Sequence, residues 1–317
     1  MKKRIEIIVP CYNEEKCIEL FFDTVEKVFL KLPDYSFQIL YIDDGSKDHT
    51  LEQIKQLEKR AGSEKVKYIS FSRNFGKESA MYVGLSKSTG DYVVIMDADL
   101  QHPPELLEQM IYALEEEGYD SCAARRISRK GEPVIRSAFS KTFYELFHKV
   151  SGIELVQGST DFRMMNRKVV EAIVSMPETE RFTKGIYSWV GFKTKWIEYE
   201  NVERAAGETK WSFGGLLRYA LNGFIAFATT PLRSVVYLGM LIVIAAFVYA
   251  AIVFHAALQN PQERDGYASI IIIMLFLGGV IIAILGIIGE YLARIYMEVK
   301  RRPIYIIRES NLEKGES

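Results

Sequence analysis

The chain has 317 residues, in which 40 Lys and Arg residues nearly balance 41 Asp and Glu residues, so its formal net charge is −1. This balance argues against a generally basic nucleic-acid-binding protein. Hydrophobic residues make up 49% and charged residues 26% of the chain, which excludes a disordered or low-complexity protein.

The first 125 residues alternate between short apolar runs and amphipathic stretches. The apolar runs predict four strands, at Ile5–Val9, Phe37–Ile42, Val66–Phe71 and Tyr92–Met96. The amphipathic stretches predict helices near Glu15–Leu30, Thr50–Arg60, Glu78–Ser86 and Pro104–Glu117. This alternation is typical of βαβ units, so we expect an α/β domain with a Rossmann-like, mostly parallel sheet.

Polar motifs follow all four predicted strands. They are Pro10-Cys11-Tyr12-Asn13-Glu14, Asp43-Asp44-Gly45-Ser46, Ser72-Arg73-Asn74-Phe75-Gly76-Lys77 and Asp97-Ala98-Asp99. Ligands bind at the carboxyl ends of strands in such sheets, so we expect one shared site. Asp97 and Asp99 would present two carboxylates that suit Mg²⁺ or Mn²⁺ beside a diphosphate. Taken alone, Asp-x-Asp also occurs in turns and helix caps, and Asp43-Asp44 could be a turn before a helix.

Two long uncharged segments follow the charged part of the chain. Ser234–Leu258 would be about 37 Å long as a helix, and Ala268–Gly289 is also long enough to cross a bilayer core of about 30 Å. A buried hairpin in a soluble protein is the alternative, but such long apolar segments are rare in soluble cores. Basic residues flank the pair on both sides, which predicts that both termini lie in the cytoplasm.

The cysteines and the start of the chain also favour a cytosolic N-terminal domain. Cys11, Cys17 and Cys122 have no metal-ligand spacing and are expected to be reduced thiols. The apolar run near the start is short and ends at Pro10, so we expect no signal peptide.

Five motifs, in this order, resemble those of glycosyltransferase family 2, whose members have the GT-A fold. They are IVPCYNEE, DDGSKDHT, SRNFGKESA, DADLQHPPE and TDFRMMNR. With the C-terminal helix pair, the chain is most similar to the polyprenyl-phosphate glycosyltransferase branch, which includes bactoprenol glucosyltransferases and dolichol-phosphate mannose synthase. The resemblance covers nearly the whole chain. The Gln-x-x-Arg-Trp motif of processive polysaccharide synthases is absent from the sequence.

The resemblance implies roles for individual residues. It implies a nucleotide-sugar pocket, with Asp44 reading the base, that is lined by Pro10, Tyr12, Glu14, Asp43, Asp44 and Asp97. It implies a metal site for Mg²⁺ or Mn²⁺ made by Asp97, Asp99 and Gln101. The segment from Arg204 to Lys210 matches the family's R-x-x-G-x-[ST]-K pattern, which implies that these two residues close over the diphosphate.

Asp99 and Asp161 are the catalytic carboxylates that the resemblance implies, with Asp161 on the acceptor side. A lipid monophosphate has a second pKa of about 6, so it is mostly dianionic at pH 7 and barely needs a general base. We therefore expect Asp161 to orient the acceptor or sugar, or to tune the metal, as readily as to remove a proton. A structural ion pair with Arg163 is the other interpretation.

Two amphipathic segments lie near the predicted membrane helices. The segment 136–150 carries an apolar face that is typical of both an interfacial helix and a core-packing helix, with Phe139, Phe143, Leu146, Phe147 and Val150. Trp211–Phe227 is linked to the first predicted span, which favours a position at the membrane interface. Such placement would seat the active site at the bilayer surface.

These predictions combine into one organisation and one function. We expect a GT-A domain at 1–205, an amphipathic juxtamembrane segment at 206–233, two transmembrane helices within 234–293 (about 234–258 and 268–293) and a basic cytoplasmic tail at 294–317.

The expected activity is inverting, metal-dependent transfer of a hexose, with glucose as the best guess, from a UDP-sugar to undecaprenyl phosphate at the inner membrane. The resemblance further implies a homo-oligomer. The alternatives are a diacylglycerol-type acceptor, and a non-catalytic subunit of a lipid-sugar system, against which the retained carboxylates argue.

Overall fold

The structure is a computed structural model that describes residues 2–127, 145, 147–200, 230–259 and 266–312. The chain forms two compact units. One unit comprises Met1–Ala220 together with Pro303–Ser317, and the other comprises Leu221–Arg302. The first unit contains the sheet, and the second contains two long helices.

The first half of the α/β unit alternates strands and helices as the sequence predicts. Its strands are β1 (Lys3–Cys11), β2 (Tyr35–Asp43), β3 (Val66–Phe71) and β4 (Tyr92–Ile95). Its helices are α1 (Ile18–Phe29), α2 (Thr50–Ala61), α3 (Lys77–Lys87) and α4 (Leu106–Glu115). All four predicted strands and all four predicted helices are confirmed, with shifted boundaries.

The remaining elements of this unit extend the sheet and cover it. They are β5 (Ser121–Arg126), β6 (Ser159–Asn166), α5 (Arg167–Val174), α6 (Thr183–Trp189), β7 (Thr194–Tyr199) and β8 (Ile307–Ser310). The eight strands form one sheet in the order β7-β5-β6-β4-β1-β2-β3-β8. The central strands β4, β1, β2 and β3 are parallel, whereas β6 runs antiparallel to both β4 and β5.

The register of the central strands places the polar motifs at one end of the sheet. Cys11 is paired with Asp43, and Asp43 is paired with Ser70. The carboxyl ends of β1, β2 and β3 therefore lie side by side. Because β4 runs parallel to β1, Asp97 follows at the same end.

Burial of apolar side chains on both faces holds this sheet in place. Ile5, Ile7 and Ile8 on β1 are fully buried, as expected for a parallel strand covered by helices on both sides. On α1, Phe21 and Phe22 are also buried. Each such side chain stabilises the fold by roughly 1.5–3 kcal/mol relative to its exposed state. The site thus rests on a rigid support.

A strand from the end of the chain completes the sheet. β8 pairs antiparallel with β3, and Tyr305 stacks on Phe71 with ring centroids 5.5 Å apart. The backbone N–H of Tyr68 donates to Asn311 Oδ1 at 2.7 Å. The basic residues of 294–317 predicted a cytoplasmic tail. The structure differs, because one of the long helices continues to Lys300 and β8 belongs to the sheet.

The second unit contains α7 (Thr230–Gln259) and α8 (Tyr267–Lys300). Both predicted helices are therefore present. In the part of the chain that the structure describes, Ile273–Val299 is one segment long and apolar enough to cross a membrane, and Ser234–Tyr249 is a shorter apolar stretch. That both helices cross a bilayer remains a prediction.

Candidate active site

The loops that follow β1 and β2 are joined by hydrogen bonds. The backbone N–H of Asn13 donates to Ser46 Oγ at 3.0 Å, and that of Glu14 donates to Thr50 Oγ1 at 2.8 Å. Asn13 has a φ of +53°, in the left-handed region that asparagine tolerates better than most residues. The half-buried residues of the β1 loop that were predicted to line the nucleotide pocket are Pro10, Tyr12 and Glu14.

Asp43 is fully buried at the end of β2, and both of its oxygens accept hydrogen bonds. Oδ1 accepts the backbone N–H of Ser46 at 2.9 Å, and Oδ2 accepts the hydroxyl of Ser70 at 2.7 Å. These bonds join the β2 loop to the neighbouring strand β3. Asp43 therefore fixes the conformation of the loop after β2 from a buried position.

Asp44 fastens the β2 loop to the start of α3. Its Oδ1 accepts the backbone N–H of Phe75 at 2.6 Å, and its Oδ2 accepts that of Gly76 at 2.9 Å. Burial raises the pKa of Asp44 to about 6, although the two backbone N–H groups lower it in part. A carboxylate that titrates near neutrality thus lies where the base-reading residue was predicted.

Gly45 allows the β2 and β3 loops to approach closely. Its φ is +67°, and a Cβ atom there would lie 2.4 Å from the carbonyl carbon of Arg73. An L side chain would meet both an unfavourable backbone conformation and a backbone clash. The glycine is therefore needed for the contact between these loops.

One lysine joins two carboxylates from different strands. Lys77 Nζ lies 2.7 Å from Asp97 Oδ1, just after β4, and 2.7 Å from Asp161 Oδ2, on β6. Lys77 is the first residue of α3, and it follows Gly76, whose φ of +97° only glycine adopts readily. The sharp turn before α3 thus brings an ammonium group to the predicted metal and acceptor carboxylates.

The charges in this cluster stabilise one another. Burial alone would raise the pKa of Asp161, but Lys77, followed by Lys184, holds it well below its usual range. Burial lowers the pKa of Lys77, but Asp161 and Asp97 outweigh it and hold the pKa well above its usual range. Both groups are therefore ionised at neutral pH, and Asp161 is a weak base in this arrangement.

Arg163 is on the same strand as Asp161 but makes different contacts. Its Nη1 donates to Ser121 Oγ at 3.2 Å, and its guanidinium group lies 4.3 Å from the centre of the Tyr187 ring. Asp161 instead forms its ion pair with Lys77. The interpretation that pairs Asp161 with Arg163 is therefore wrong for the described residues.

The predicted metal ligands lie in the turn after β4. Asp97, Asp99 and Gln101 are all partly buried, and the backbone N–H of Gln101 donates to Asp99 Oδ1 at 3.2 Å. No group of three or more His, Cys, Asp or Glu side chains suited to a metal ion occurs in the described ranges. Two carboxylates and an amide would therefore need further oxygen ligands from a substrate. Their chemistry fits Mg²⁺ or Mn²⁺, and the Lys77 ammonium already shows that the cluster holds a cation.

Sequence reasoning did not single out three residues around this cluster. Lys77 was quoted only as part of a motif, and Lys184, which donates to the carbonyl oxygen of Ser159 at 3.1 Å, belongs to none. His102 is buried and stacks on Phe162, with ring centroids 5.5 Å apart, and burial lowers its pKa. The position of Lys77 directly after Gly76, in a polar motif that follows β3, was the available signal.

Other predicted residues lie outside the described part of the chain. These are Arg204, Lys210, the segment Trp211–Phe227 and most of the segment 136–150. Within the last segment Phe147 is described, and it is fully buried and packs against Phe182 with ring centroids 5.8 Å apart. At this position the apolar face serves core packing.

Comparison with known families decides the class of this site. Residues 6–174 match glycosyl transferase family 2, and residues 230–295 match the GtrB C-terminal hairpin. The chain belongs to glycosyl transferase family 2. It is a glycosyltransferase, and the family resemblance carried by its five motifs is confirmed.

Curated members of the family resemble this chain over nearly its full length. CsbB of Bacillus subtilis (strain 168) is 44% identical over 97% of this chain and 92% of its own. A bactoprenol glucosyl transferase of Shigella phage SfII is 40% identical over 97% of this chain and 98% of its own. A prophage bactoprenol glucosyl transferase homolog of Escherichia coli (strain K12) is 40% identical over 96% of this chain and 98% of its own. These relatives place the chain with the polyprenyl-phosphate branch of family 2.

A solved structure supports the fold. Mannosyltransferase PcManGT from Pyrobaculum calidifontis, in complex with GDP-Man and Mn²⁺, has a TM-score of 0.51 and 17% sequence identity. The similarity covers 93% of this chain and 85% of that one. At this identity the likeness concerns the fold alone, and it agrees with the predicted GT-A architecture.

Proposed function

We propose that this family 2 enzyme transfers a hexose, with glucose as the first candidate, from a UDP-sugar to polyprenyl phosphate. The observation that carries the proposal is the cluster in which Lys77 bridges Asp97 and Asp161 at the carboxyl end of the sheet. Support for the acceptor and sugar comes from the bactoprenol glucosyl transferase of phage SfII, which is 40% identical.

The proposed reaction is one displacement at the anomeric carbon. An oxygen of the lipid phosphate forms a bond to that carbon while the bond to the β-phosphate oxygen of UDP breaks, with an oxocarbenium-like transition state. The products are polyprenyl monophosphate sugar with inverted configuration and UDP. No proton has to leave a dianionic phosphate, so a strong general base is unnecessary.

The donor would bind over the β1 and β2 loops. We propose that Asp44 accepts a hydrogen bond from the base, while Pro10, Tyr12 and Glu14 line the pocket. Asp43 would act indirectly, by fixing the loop after β2 through the bonds that its oxygens accept from Ser46 and Ser70. The predicted contacts of Arg204 and Lys210 with the diphosphate are kept as part of the proposal.

The leaving diphosphate would lie beside the turn after β4. We propose that Asp97, Asp99 and Gln101 hold Mg²⁺ or Mn²⁺ there, as oxygen donors suited to such ions. A divalent cation in this position supplies positive charge for the diphosphate that leaves. The Mn²⁺ in the PcManGT complex is consistent with this assignment.

Asp161 would act on the acceptor side by position and charge. Its pKa lies well below the usual range because of Lys77 and Lys184, despite burial, so it is a poor proton acceptor. We propose that it orients the sugar or acceptor and keeps the neighbouring ammonium groups in place. Of the roles that the sequence left open for Asp161, this proposal keeps positioning and sets aside removal of a proton.

The lipid acceptor requires contact with a membrane. The segment Ile273–Val299 has the length and composition to cross one, and α7 contributes the shorter apolar stretch Ser234–Tyr249. We propose that the pair anchors the enzyme in the inner membrane, with the catalytic domain and both termini in the cytoplasm and a homo-oligomer as the assembled form. The anchored domain would receive the lipid phosphate at the bilayer surface.

The deciding experiment measures transfer of radiolabel by the purified full chain. A panel of UDP- and GDP-sugars is offered with undecaprenyl phosphate or diacylglycerol, in Mg²⁺, Mn²⁺ or EDTA. We expect one chloroform-soluble product, formed from UDP-glucose and undecaprenyl phosphate and lost in EDTA. A product formed only with diacylglycerol would overturn the acceptor assignment, and no product with any pair would overturn the activity.

A charge-matched pair of variants tests the metal assignment in the same assay. Asp99→Asn should reduce transfer at least about 100-fold, because it removes a carboxylate from the diphosphate side. Glu105→Gln removes one negative charge from an exposed residue just before α4 and should transfer normally. Normal turnover in Asp99→Asn would contradict the assignment.

A further inference from the structure

Two carboxylates from separate strands share one internal cation. The Nζ atom of Lys77 lies 2.7 Å from an oxygen of Asp97 and 2.7 Å from an oxygen of Asp161. Both distances are those of charge-assisted hydrogen bonds. The ammonium group therefore lies between the carboxylate proposed to hold the metal and the carboxylate proposed to act on the acceptor side.

The backbone of Lys77 is fixed, but its side chain has room to move. The backbone N–H groups just before it, on Phe75 and Gly76, are held by Asp44, and Lys77 begins α3. In contrast, 39% of the Lys77 side chain is exposed, whereas that of Asp161 is 17% exposed. A four-carbon stem on a fixed backbone can release one carboxylate while it keeps the other.

The second lysine near Asp161 serves a different position. Lys184 Nζ donates to the carbonyl oxygen of Ser159 at 3.1 Å, and its charge acts on Asp161. Lys77 is the described cation that contacts Asp97 directly. Among the described residues, Lys77 is therefore the one that neutralises the negative charge of Asp97, the predicted metal ligand.

We propose that Lys77 is a resident cation that a divalent metal ion displaces from Asp97 when the nucleotide donor binds, while its contact with Asp161 persists. The inference rests on the proposed function in one respect, namely that the donor is a metal–nucleotide complex. In the ligand-free chain Lys77 is a positioning residue that acts through the two carboxylates, and once it is displaced from Asp97 its ammonium group would face the diphosphate of the donor.

The exchange has a thermodynamic consequence. A metal ion alone must compete with an ammonium group that the carboxylates already hold, so it binds weakly. With UDP present, the diphosphate contributes oxygen ligands to the metal and an anionic partner for Lys77. Metal and nucleotide should therefore bind with positive coupling, and by linkage each should raise the affinity of the other by the same factor.

The test measures Mn²⁺ binding to the full chain in detergent by electron paramagnetic resonance of the free ion, with and without UDP. Substitution Lys77→Met removes the competing charge and keeps a long side chain that favours a helix. We expect Mn²⁺ alone to bind about tenfold more tightly to this variant, a size typical of one nearby charge. The affinity measured with UDP should change less, so the coupling between metal and nucleotide should fall about tenfold.

Two further variants separate charge from structure. Lys77→Arg keeps a cation that can bridge both carboxylates, and it should retain the weak binding of Mn²⁺ alone. Lys184→Met removes a cation of the same cluster that does not contact Asp97, so Mn²⁺ affinity should change much less than in Lys77→Met. A thermal melt of each variant confirms that it is folded.

The outcomes distinguish this inference from the proposed function. If Mn²⁺ binds with UDP in all variants and Lys77→Met leaves the coupling unchanged, the resident-cation role of Lys77 is overturned and the metal-dependent function stands. If Lys77→Met and Lys184→Met tighten Mn²⁺ binding equally, the specific exchange at Asp97 is overturned. If the native chain binds no Mn²⁺ even with UDP, both the exchange and the metal assignment are overturned.

Discussion

The guanidinium group of Arg308 lies 3.9 Å from the buried carboxylate of Asp43. Its Nη2 also donates to Ser70 Oγ at 3.0 Å, and Ser70 in turn donates to Asp43. β8 thus contributes a cation next to Asp43, at the start of the loop that was predicted to bind the nucleotide. Arg308 thereby joins β8 to the carboxyl ends of β2 and β3.

Removal of this cation should destabilise the α/β unit. Arg308→Met takes away a charge-assisted hydrogen bond and leaves the buried Asp43 with less compensation, at a cost of about 1–2 kcal/mol because Arg308 is half exposed. The matched control is Glu26→Gln, which breaks the partly exposed ion pair with Lys65 and should cost about 0.5 kcal/mol. Thermal unfolding measures both. Equal losses of stability would contradict a specific role for Arg308.

Nucleotide affinity should depend on pH through Asp44. Burial raises the pKa of Asp44 to about 6, and only the ionised carboxylate is a pure acceptor for an N–H of the base. The affinity for UDP should therefore fall as the pH drops through 6, by up to about tenfold per unit below it. Because the pKa of Asp44 is higher in the folded state than in the unfolded state, protonation of Asp44 at low pH does not destabilise the fold. The expected loss of UDP affinity is therefore an effect on binding and not on folding.

Two variants check this pH dependence by calorimetric titration of UDP between pH 5 and 8. Asp44→Asn should bind UDP more weakly at pH 8 and show a flat profile, because the amide does not titrate. Asp91→Asn changes an exposed aspartate and should keep the native profile. A native profile in Asp44→Asn would show that another group titrates.

The sequence predicts the centre of this fold well because its signals are local. Short apolar runs with polar ends mark β1 to β4, and burial on both faces requires such runs. The carboxylate of Asp97 was found for a related reason, since it closely follows β4, whereas Asp161 was implied only by the resemblance of the motif TDFRMMNR to the family. Parallel pairing of β1 with β4 then places Asp97 at the shared end of the sheet.

The parts that the sequence missed depend on contacts between distant residues. β8 is short, and the partners of Arg308 and Asn311 lie more than 200 residues earlier in the chain. The bridge from Lys77 to Asp161 joins a helix start to an antiparallel strand that follows it by 84 residues. No periodicity encodes such pairs, and a tail with several basic residues resembles a membrane-flanking segment.

Gly45 should tolerate no side chain. Its φ is +67°, and the Cβ atom of alanine would lie 2.4 Å from the carbonyl carbon of Arg73, which is backbone and cannot rotate away. Gly45→Ala should therefore lower stability by about 1–3 kcal/mol and weaken UDP binding, because the β2 and β3 loops must separate. Gly62→Ala is the control, since its φ is also positive but nothing lies within 4 Å of the added atom. Equal effects of the two changes would refute the close approach.

Glu78 should make the stability of the enzyme depend on pH. Its Oε2 accepts both the backbone N–H of Thr183, at 3.1 Å, and the Thr183 hydroxyl, so it joins α3 to the start of α6. Burial raises the pKa of Glu78 from 4.5 to about 7, although the Thr183 hydroxyl lowers it in part. The folded state thus favours the neutral acid, and the stability that this provides is fully present below pH 4.5 and lost as the pH rises through 7.

Glu78→Gln keeps the hydrogen-bond acceptor but does not ionise. At pH 8 it should unfold at a higher temperature than the native chain, by an amount that corresponds to at most about 3 kcal/mol, and near pH 5 the two should be similar. Glu105→Gln, at an exposed position, should follow the native profile throughout. Because Asp161 also acts on Glu78, ionisation of Glu78 adds negative charge close to the acceptor carboxylate. A constant difference between Glu78→Gln and the native chain from pH 5 to 8 would mean that Glu78 does not titrate in this range.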